Sequence, residues 1–270
     1  MAFIQENLIN IQLNLKKTYT LVHFSDVHIV AFPNDIDSKE YAQANEHESA
    51  WYRVRKDFAN YFKETCTEEQ MIPSIDCLKK LLAYTTSIHP NLLMMSGDIL
   101  DYDSQSNIDF LTKELNQIDY PFVLSCGNHE HPDIFSQLTN HQETFMVKNL
   151  KEFKVISVDN STKKFSKKQV ELLKKELGDN LPILLCMHIP LMTKNNQEEM
   201  KKYDSYYIID HQNCDVSTKE FIDLILSAPQ IKHVFCGHTH GKGCSSLIAN
   251  KNQYCASSGL IGYVNKIMIH

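Results

Sequence analysis

The chain has 270 residues, with 27 basic against 33 acidic side chains and a formal net charge of −6. Hydrophobic residues make up 43% of it and charged residues 22%, which is ordinary for a globular protein and excludes a disordered or fibrous one. A chain of this length can bury a large core, and we expect residues 1–270 to form a single domain. Because basic residues are not in excess, we do not expect binding to nucleic acid.

One basic segment is an exception to this charge balance. Arg53, Arg55 and Lys56 lie beside Trp51 and Tyr52 and are the nearest approach to a local nucleic-acid patch. We interpret this segment as the solvated face of a helix.

Eight cysteines are scattered along the chain without a Cys-x-x-Cys pair, which indicates free thiols. Cys126, Cys186 and Cys236 end apolar runs, and we expect them to be buried in strands. No cationic leader is visible, and no apolar run reaches the roughly 18 residues of a membrane span, so a cytoplasmic protein without membrane association is predicted. In that compartment the Asn-Ser-Thr glycosylation site at Asn160 would have no function.

Short apolar runs along the chain predict strands. Residues 8–15 alternate apolar and polar side chains, which is the period of a half-buried strand. Further runs lie at 19–25, 91–96, 121–126, 153–158, 181–187 and 231–236. Each of these ends at a polar or glycine-containing cluster, as buried strands do where they deliver a loop to the surface. Runs at 245–250, 252–257 and 263–269 are expected to be added antiparallel strands.

Helical segments separate the strands. Ser166 with Gln169, and Ser217 with Glu220, fit the capping box at a helix start, and Gly178 fits a helix stop. This alternation predicts a layered α/β structure. Two polar segments, 31–75 and 192–216, interrupt it and are interpreted as insertions. Each is either a lid or substrate-selecting wall, or a surface elaboration without a catalytic part.

Side chains suited to metal binding follow five of the predicted strands. They are Asp26 and His28, Asp98 and Asp101, Asn128 with His129 and Glu130, His188, and His238 with His240. Because the carboxyl ends of parallel strands lie side by side, we expect these groups to converge at one edge. Imidazole nitrogens with carboxylate and amide oxygens suit Mn, Fe or Zn, whereas a structural zinc module would have closely spaced cysteine pairs. Glycines at 97, 127 and 237 would let the backbone turn sharply beside an ion.

The motif series resembles the calcineurin-like metallophosphoesterase superfamily. The series is Asp-x-His, Gly-Asp-x-x-Asp, Gly-Asn-His-Glu, a lone His after a strand, and Gly-His-x-His, in the family's order over residues 20–241. The resemblance implies a four-layer αββα sandwich, in which two mixed β-sheets pack face to face with helices outside. It also implies two divalent metal ions and a small phosphorylated substrate, and it leaves the oligomeric state open.

By this resemblance, each motif residue has an implied role. The first ion would be bound by Asp26, His28 and His240, the second by Asn128, His188 and His238, and Asp98 would bridge both. His129 would be the catalytic histidine, oriented by Asp101; the alternative for Asp101 is an ordinary helix cap. Two cations about 3.5 to 4 Å apart would lower the pKa of a shared water and neutralise phosphoryl charge, so that hydroxide attacks the ester. An imidazolium at His129 could then protonate the leaving oxygen.

One departure from the family bears on the substrate. Many protein phosphatases of this family have arginines in these motifs that grip a phosphomonoester, whereas Tyr102 follows Asp101 here and His131 follows Glu130. His131 either replaces an arginine or has a structural role. The departure favours a phosphodiesterase of the cyclic-nucleotide type. The alternatives are a phosphomonoesterase, protein phosphatase or nuclease on the same centre, or a scaffold without catalysis, which would be expected to have lost ligands.

Overall fold

The computed structural model describes residues 3–139 and 145–270, which contain thirteen strands and eight α-helices. The strands are β1 (Gln5–Ile11), β2 (Tyr19–Phe24), β3 (Leu92–Ser96), β4 (Phe122–Ser125), β5 (Phe145–Asn149), β6 (Lys154–Val158), β7 (Ile183–Cys186), β8 (Leu191–Met192), β9 (Ile209–Asp210), β10 (Ile231–Cys236), β11 (Gly243–Ile248), β12 (Lys251–Cys255) and β13 (Tyr263–Ile269). The helices are α1 (Lys39–Lys56), α2 (Phe58–Phe62), α3 (Ser74–Ile88), α4 (Gln105–Leu115), α5 (Pro132–Thr139), α6 (Lys167–Glu176), α7 (Gln197–Met200) and α8 (Val216–Ser227).

Two large mixed sheets make up the centre of the fold. One has five strands in the order β1-β13-β2-β3-β4, and the other has six in the order β11-β12-β10-β7-β6-β5. In each sheet a central set runs parallel, β2 with β3 and β4, and β6 with β7 and β10. The sheets are completed by antiparallel pairs, β2 with β13, β11 with β12 and β5 with β6, and by two further parallel pairs, β1 with β13 and β10 with β12. The short strands β8 and β9 form a separate parallel pair.

The core lies between the two sheets and continues under the helices. Alternate residues of β7 serve different sides of their sheet, because Leu184 belongs to the cluster that includes Phe24 and Met95 of the five-stranded sheet. Ile183 and Leu185 belong instead to the cluster that holds side chains of α6 and α8. Helix α3 covers the other sheet and buries Leu78, Leu81 and their neighbours. The predicted four-layer αββα sandwich is therefore confirmed.

One predicted strand boundary and one predicted strand arrangement are wrong. Strand β1 spans Gln5–Ile11 rather than 8–15, because its partner β13 ends opposite Ile11, although Leu13 and Leu15 still pack against the core. Of the last three strands, β12 pairs parallel with β10, and β13 crosses to the other sheet between β1 and β2. They are not simply added antiparallel strands.

Of the three predicted helix-end signals, one is confirmed. Ser166 and Gln169 form the predicted box, with each side chain accepting the other's backbone N–H. Helix α8 instead begins after Asp215, whose carboxylate accepts the N–H of Thr218 at 2.9 Å. The predicted box at Ser217 and Glu220 is therefore wrong, because a stronger cap lies two residues earlier. Helix α6 ends at Glu176, and the left-handed residue after it is Asn180 rather than Gly178.

The interpretation of the basic segment as a solvated helix face is wrong for Arg55. Its guanidinium is buried and donates to the carbonyls of Gln70 and Ile72, at 3.0 and 2.6 Å. Cys126, Cys186 and Cys236 are buried free thiols, as predicted, although Cys126 lies just beyond β4. Over residues 3–139 and 145–270, no helix combines the length and the apolar character that crossing a membrane demands.

Candidate metal centre and active site

The loops that follow five parallel strands meet at one edge of the sandwich. Strands β2, β3 and β4 of one sheet deliver Asp26, Asp98 and Asn128, and β7 and β10 of the other deliver the histidines at 188, 238 and 240. The groups therefore converge from two facing sheets, and not from the edge of a single one as predicted. The structure brings together all seven predicted metal ligands, and His129 and Asp101 lie beside them.

Asp26, His28 and His240 form the first group of converging side chains. His240 Nε2 lies 3.2 Å from Asp26 Oδ1 and 3.1 Å from His28 Nε2. All three side chains are buried, and His240 Nδ1 is buried without a hydrogen-bond partner among the described residues. Two ring nitrogens and a carboxylate that point at one another in this way are a poor hydrogen-bonded core but a suitable set of donors for a divalent cation.

The second group consists of Asp98, His188 and His238, with Asn128 beside it. His188 Nε2 lies 3.1 Å from both Asp98 Oδ2 and Asn128 Oδ1. The Nδ1–H of His188 donates to the Ser96 carbonyl at 2.7 Å, which leaves the Nε2 lone pair free to bind a cation.

Asp98 belongs to both sides of the cluster. Besides its contact with His188, its Oδ2 lies 3.9 Å from His28 Nε2. It also forms a third possible ligand group with His28 and His129. The carboxylate is thus placed between the two sets, where a bridging ligand would lie, and the donor sets as a whole fit two divalent ions.

Backbone strain is concentrated at these residues. Five of the seven predicted ligands have left-handed backbone conformations, namely Asp26 (φ 55°), His28 (46°), Asp98 (50°), His238 (67°) and His240 (51°). Residues other than glycine rarely adopt this backbone conformation, and each one lowers the stability of the fold by on the order of 1 kcal/mol or more. Such residues persist only where the surrounding structure holds them, and a group of them that directs side chains to one point is typical of a functional site.

Two glycines permit the close approach of the loops. A Cβ at Gly127 would lie 2.0 Å from Asp98 Oδ1, and one at Gly237 would lie 2.4 Å from Asp26 Oδ2. A side chain at either position would displace a carboxylate of the cluster. The predicted sharp turn occurs at Gly97, whose φ is 87°, whereas Gly127 and Gly237 permit the close approach of side chains.

The cluster is strongly charged. Burial opposes ionisation of Asp26, but His240 and His188 outweigh it and lower its pKa to about 2. In the same way His188 counteracts burial and holds the pKa of Asp98 well below its usual value. Burial also opposes charge on His188, yet Asp98 and Asp26 raise its pKa to about 9. Two buried carboxylates are thus ionised at neutral pH, and a bound cation would displace the proton of His188.

His129 and Asp101 contact each other in two ways. The Nδ1–H of His129 donates to the Asp101 main-chain carbonyl at 2.7 Å and lies 3.3 Å from its carboxylate. Burial lowers the pKa of His129, but hydrogen bonding to Asp101 and the charge of Asp98 overcome this and raise it to about 10. Asp101 does not cap α4, whose cap is Ser104, so the alternative of an ordinary helix cap does not apply.

Helix α1, in segment 31–75, supplies two partners for Asp101 that the sequence did not reveal. Trp51 Nε1–H donates to Asp101 Oδ1 at 2.7 Å, and His47 Nδ1 lies 2.6 Å from Oδ2. The Trp51 ring also lies against His28, with ring centroids 4.1 Å apart. One buried carboxylate is therefore held by an indole and three imidazoles.

Glu130 ties the loops after β3 and β4 together. Its carboxylate accepts the backbone N–H groups of Gly127, Ile99 and Leu100, at 2.7 to 2.8 Å. Burial and the charge of Asp98 raise its pKa to about 7. Its position in the Gly-Asn-His-Glu motif marks Glu130 as part of the site, but the spacing of the motif does not indicate that its carboxylate accepts backbone N–H groups from two loops.

Two further contacts were also missed. Asn160, which the sequence suggested only as a glycosylation site, is buried and accepts the N–H groups of His188 and Ile189 at 3.0 and 2.9 Å. It follows β6, so a sixth strand end also serves the site. Tyr206 of the second insertion accepts a hydrogen bond from Asn128 at 3.0 Å, and its carbonyl lies 3.2 Å from His238 Nε2. Both polar segments, 31–75 and 192–216, therefore contact the cluster.

Arginine is not used at this site. The chain has two arginines; Arg55 is buried on main-chain carbonyls, and Arg53 lines a separate surface cavity with Tyr52 and Pro73. The side chain of His131 is 63% exposed and pairs with Asp133, which fits a structural role better than replacement of an arginine.

Comparison with known proteins agrees with this geometry. The chain is 24% identical to a probable cyclic nucleotide phosphodiesterase of Synechococcus sp., over 59% of the chain and 63% of that protein. It is also 24% identical to a probable glycerophosphodiester phosphodiesterase of Arcobacter nitrofigilis, over 56% of the chain and 57% of that protein. The chain thus spans about 60% of the length of these curated relatives.

A solved structure and a family profile extend the match over most of the chain. A dimetal phosphatase from Danio rerio superposes with a TM-score of 0.58 at 11% identity, covering 90% of this chain and 88% of that one, which shows a shared fold. The profile of the calcineurin-like phosphoesterases matches residues 19–242. The chain therefore belongs to the calcineurin-like phosphoesterase family.

Proposed function

We propose that this protein hydrolyses a small phosphodiester of the cyclic-nucleotide type with the aid of two divalent cations, Mn, Fe or Zn. The observation that carries the proposal is the pair of neighbouring ligand groups with Asp98 between them: Asp98 belongs to the second group, and its Oδ2 lies 3.9 Å from His28 Nε2 of the first. Asp26, His28 and His240 would hold one ion, and Asn128, His188 and His238 the other, with Asp98 between them. We also propose that residues 1–270 act as one domain, with segments 31–75 and 192–216 as its insertions.

The roles of the protein's own groups follow from their positions. Bound cations would activate a water molecule and neutralise charge on the phosphoryl oxygens. His129 lies at the edge of both ligand groups, and its raised pKa keeps a proton available at neutral pH. We assign it protonation of the leaving oxygen. Asp101 would orient the His129 ring through its carbonyl and favour the charged ring through its carboxylate.

The absence of arginine from the site favours a diester over a monoester. A phosphomonoester carries up to two negative charges and exposes three terminal oxygens, whereas a diester carries one charge and exposes two. Arg55 donates to main-chain carbonyls in the core, and Arg53 lines another cavity. The site therefore has no guanidinium that could bind the third terminal oxygen of a monoester through two hydrogen bonds. The same reasoning disfavours a phosphoprotein substrate.

Paired chromogenic substrates test this proposal. Bis-p-nitrophenyl phosphate and p-nitrophenyl phosphate should be compared with Mn-reconstituted protein, alongside the variants Asp98→Asn and His129→Ala. We expect faster turnover of the diester, and loss of bound metal and turnover together in Asp98→Asn. His129→Ala should retain its metal and lose rate on an alkyl diester, whose leaving oxygen needs a proton. Preference for the monoester would contradict the diester assignment, and full activity of His129→Ala on the alkyl diester would remove its assigned role.

A further inference from the structure

A cavity of about 520 Å³ lies directly beside the proposed metal centre. We define the tyrosine pocket by its aromatic lining, Tyr61, Phe62, Tyr203 and Tyr207. Its size is within the range of small-molecule sites. It forms where the end of α2 in the first insertion meets residues 202–207 of the second insertion. Neither insertion could form this pocket alone.

The tyrosine pocket borders both histidines of the Gly-His-Thr-His motif. The Phe62 ring lies against His240, with centroids 4.6 Å apart, and the Tyr207 ring lies against His238, at 5.3 Å. Thr239, between those histidines, also lines the cavity. A phosphate bound at the metal centre could therefore extend one of its ester groups into the pocket.

Of the four rings that line the tyrosine pocket, Tyr61 is the most available for stacking. It is 63% exposed, and its nearest ring neighbour is Phe62, with centroids 6.0 Å apart. Lys202 Nζ lies 4.8 Å from the centroid of the Tyr203 ring and covers one of its faces, so only the other face of Tyr203 can stack. Exposed aromatic residues grouped in a concave surface usually mark a binding site. Ring faces of this kind bind a flat aromatic group well, because each face offers a large apolar area at little conformational cost.

The charges around the tyrosine pocket select between possible ligands. Its rim has three lysines, Lys63, Lys202 and Lys242, against two acids, Glu64 and Asp204. Aromatic cages also bind quaternary ammonium groups, but a net positive rim repels them. A glycerol group, in turn, would gain little from four aromatic side chains. The charge balance favours a neutral planar ring attached to an anionic phosphate.

We propose that the tyrosine pocket binds the nucleobase of a nucleotide diester while its phosphate lies at the metal centre. This inference rests on the proposed diesterase function and deepens it, since it assigns the two insertions the selection of substrate. Tyr61 and Tyr203 provide the stacking surface, and they contact none of the proposed metal ligands in the described rings.

Binding to a metal-loaded protein that does not turn over tests the pocket separately from catalysis. Titration of cyclic AMP into Mn-loaded His129→Ala protein should give a Kd that rises at least about fivefold, or about 1 kcal/mol, when Tyr61→Ala or Tyr203→Ala is added. An unchanged Kd, or no binding of cyclic AMP to the His129→Ala protein, would overturn the pocket. Tyr61→Phe keeps the ring and should bind like the parent. Tyr52→Ala is the matched control, because Tyr52 is an exposed tyrosine of the first insertion that lines a different cavity.

Turnover then tests selectivity. For the metal-loaded enzyme, Tyr61→Ala should raise the KM for cyclic AMP at least about fivefold more than the KM for glycerophosphoglycerol. Equal changes for the two substrates would overturn the pocket while leaving diesterase activity intact. A selective loss of glycerophosphocholine would overturn it in favour of a cation cage. Binding of cyclic AMP that depends on Tyr61, without hydrolysis of any diester, would uphold the pocket and refute the proposed function.

Discussion

Replacing Trp51 with Phe tests how segment 31–75 acts on the chemistry. The indole N–H donates to Asp101 Oδ1 at 2.7 Å, and the centroids of the Trp51 and His28 rings lie 4.1 Å apart. Phenylalanine keeps an aromatic ring in this position and removes the donor. The substitution therefore separates the hydrogen bond from the packing.

The size of the effect follows from the charge of the acceptor. A hydrogen bond to a charged group contributes about 1.5–3 kcal/mol. Asp101 is ionised, because its hydrogen bonds to His129 and His28 outweigh burial and lower its pKa. If the lost bond weakens the orientation of His129 in the transition state by this amount, kcat should fall about 10- to 100-fold. His47 remains on the other carboxylate oxygen and should limit the loss to the lower half of this range.

Two diesters that differ in leaving group distinguish this role from general damage. An alkoxide leaving group requires a proton from His129, whereas p-nitrophenolate does not. Trp51→Phe should therefore lose more activity with an alkyl diester than with bis-p-nitrophenyl phosphate, at unchanged metal content. Tyr52→Phe, one residue along α1, is the control. Equal losses on both substrates, or no loss on either, would refute the reasoning.

Three other predictions concern the metal centre and stability. Gly127→Ala should lower the unfolding free energy by about 1–3 kcal/mol, since the new Cβ would lie 2.0 Å from Asp98 Oδ1. Gly178→Ala is the control and should not lower it, because a Cβ there would meet no atom within 4 Å. Urea unfolding measures both variants. Mn at about 100 times the Kd of the parent should stabilise the parent and His129→Ala by about 2.7 kcal/mol for each bound ion, or about 5.4 kcal/mol for two. The same Mn concentration should stabilise Asp98→Asn by less, and a calorimetric melt with equal shifts in all three would contradict the ligand assignment. Burial lowers the pKa of His23 from its ordinary value of 6.5 to about 3. Between these pH values the unfolded chain binds a proton at His23 that the native state does not, so the unfolding free energy decreases as the pH falls below 6.5. In chelator, His23→Gln should reduce this slope between pH 6.5 and 4.5 by up to about 1.4 kcal/mol per pH unit, and an unchanged slope would show that His23 is not the cause.

The strand ends were predictable because two local signals coincide there. A buried strand needs a continuous apolar run, and a metal centre needs polar groups where that run stops. Asp26, Asp98 and His188 each follow this rule, so the sequence order of the ligands was sufficient to predict their convergence. That they converge from two sheets was not predictable from the runs, because apolar runs do not indicate which strands pair.

Contacts from the insertions could not be predicted in the same way. Trp51 and His47 lie on a helix about 50 residues from Asp101, and no periodic pattern indicates which face of that helix meets the site. Arg55 illustrates the opposite case, since its neighbours in sequence suggested exposure, but main-chain carbonyls of a distant turn hold it in the core. Asn160 was misjudged because a short acceptor motif carries no information about burial.

Electron paramagnetic resonance of Mn titrated into the metal-free protein tests the central claim most directly. If Asp98 bridges two ions, the parent should bind two Mn per chain and show an exchange-coupled spectrum, and Asp98→Asn should lose the coupling. A single uncoupled Mn per chain in the parent, or a coupled pair that persists in Asp98→Asn, would contradict the account.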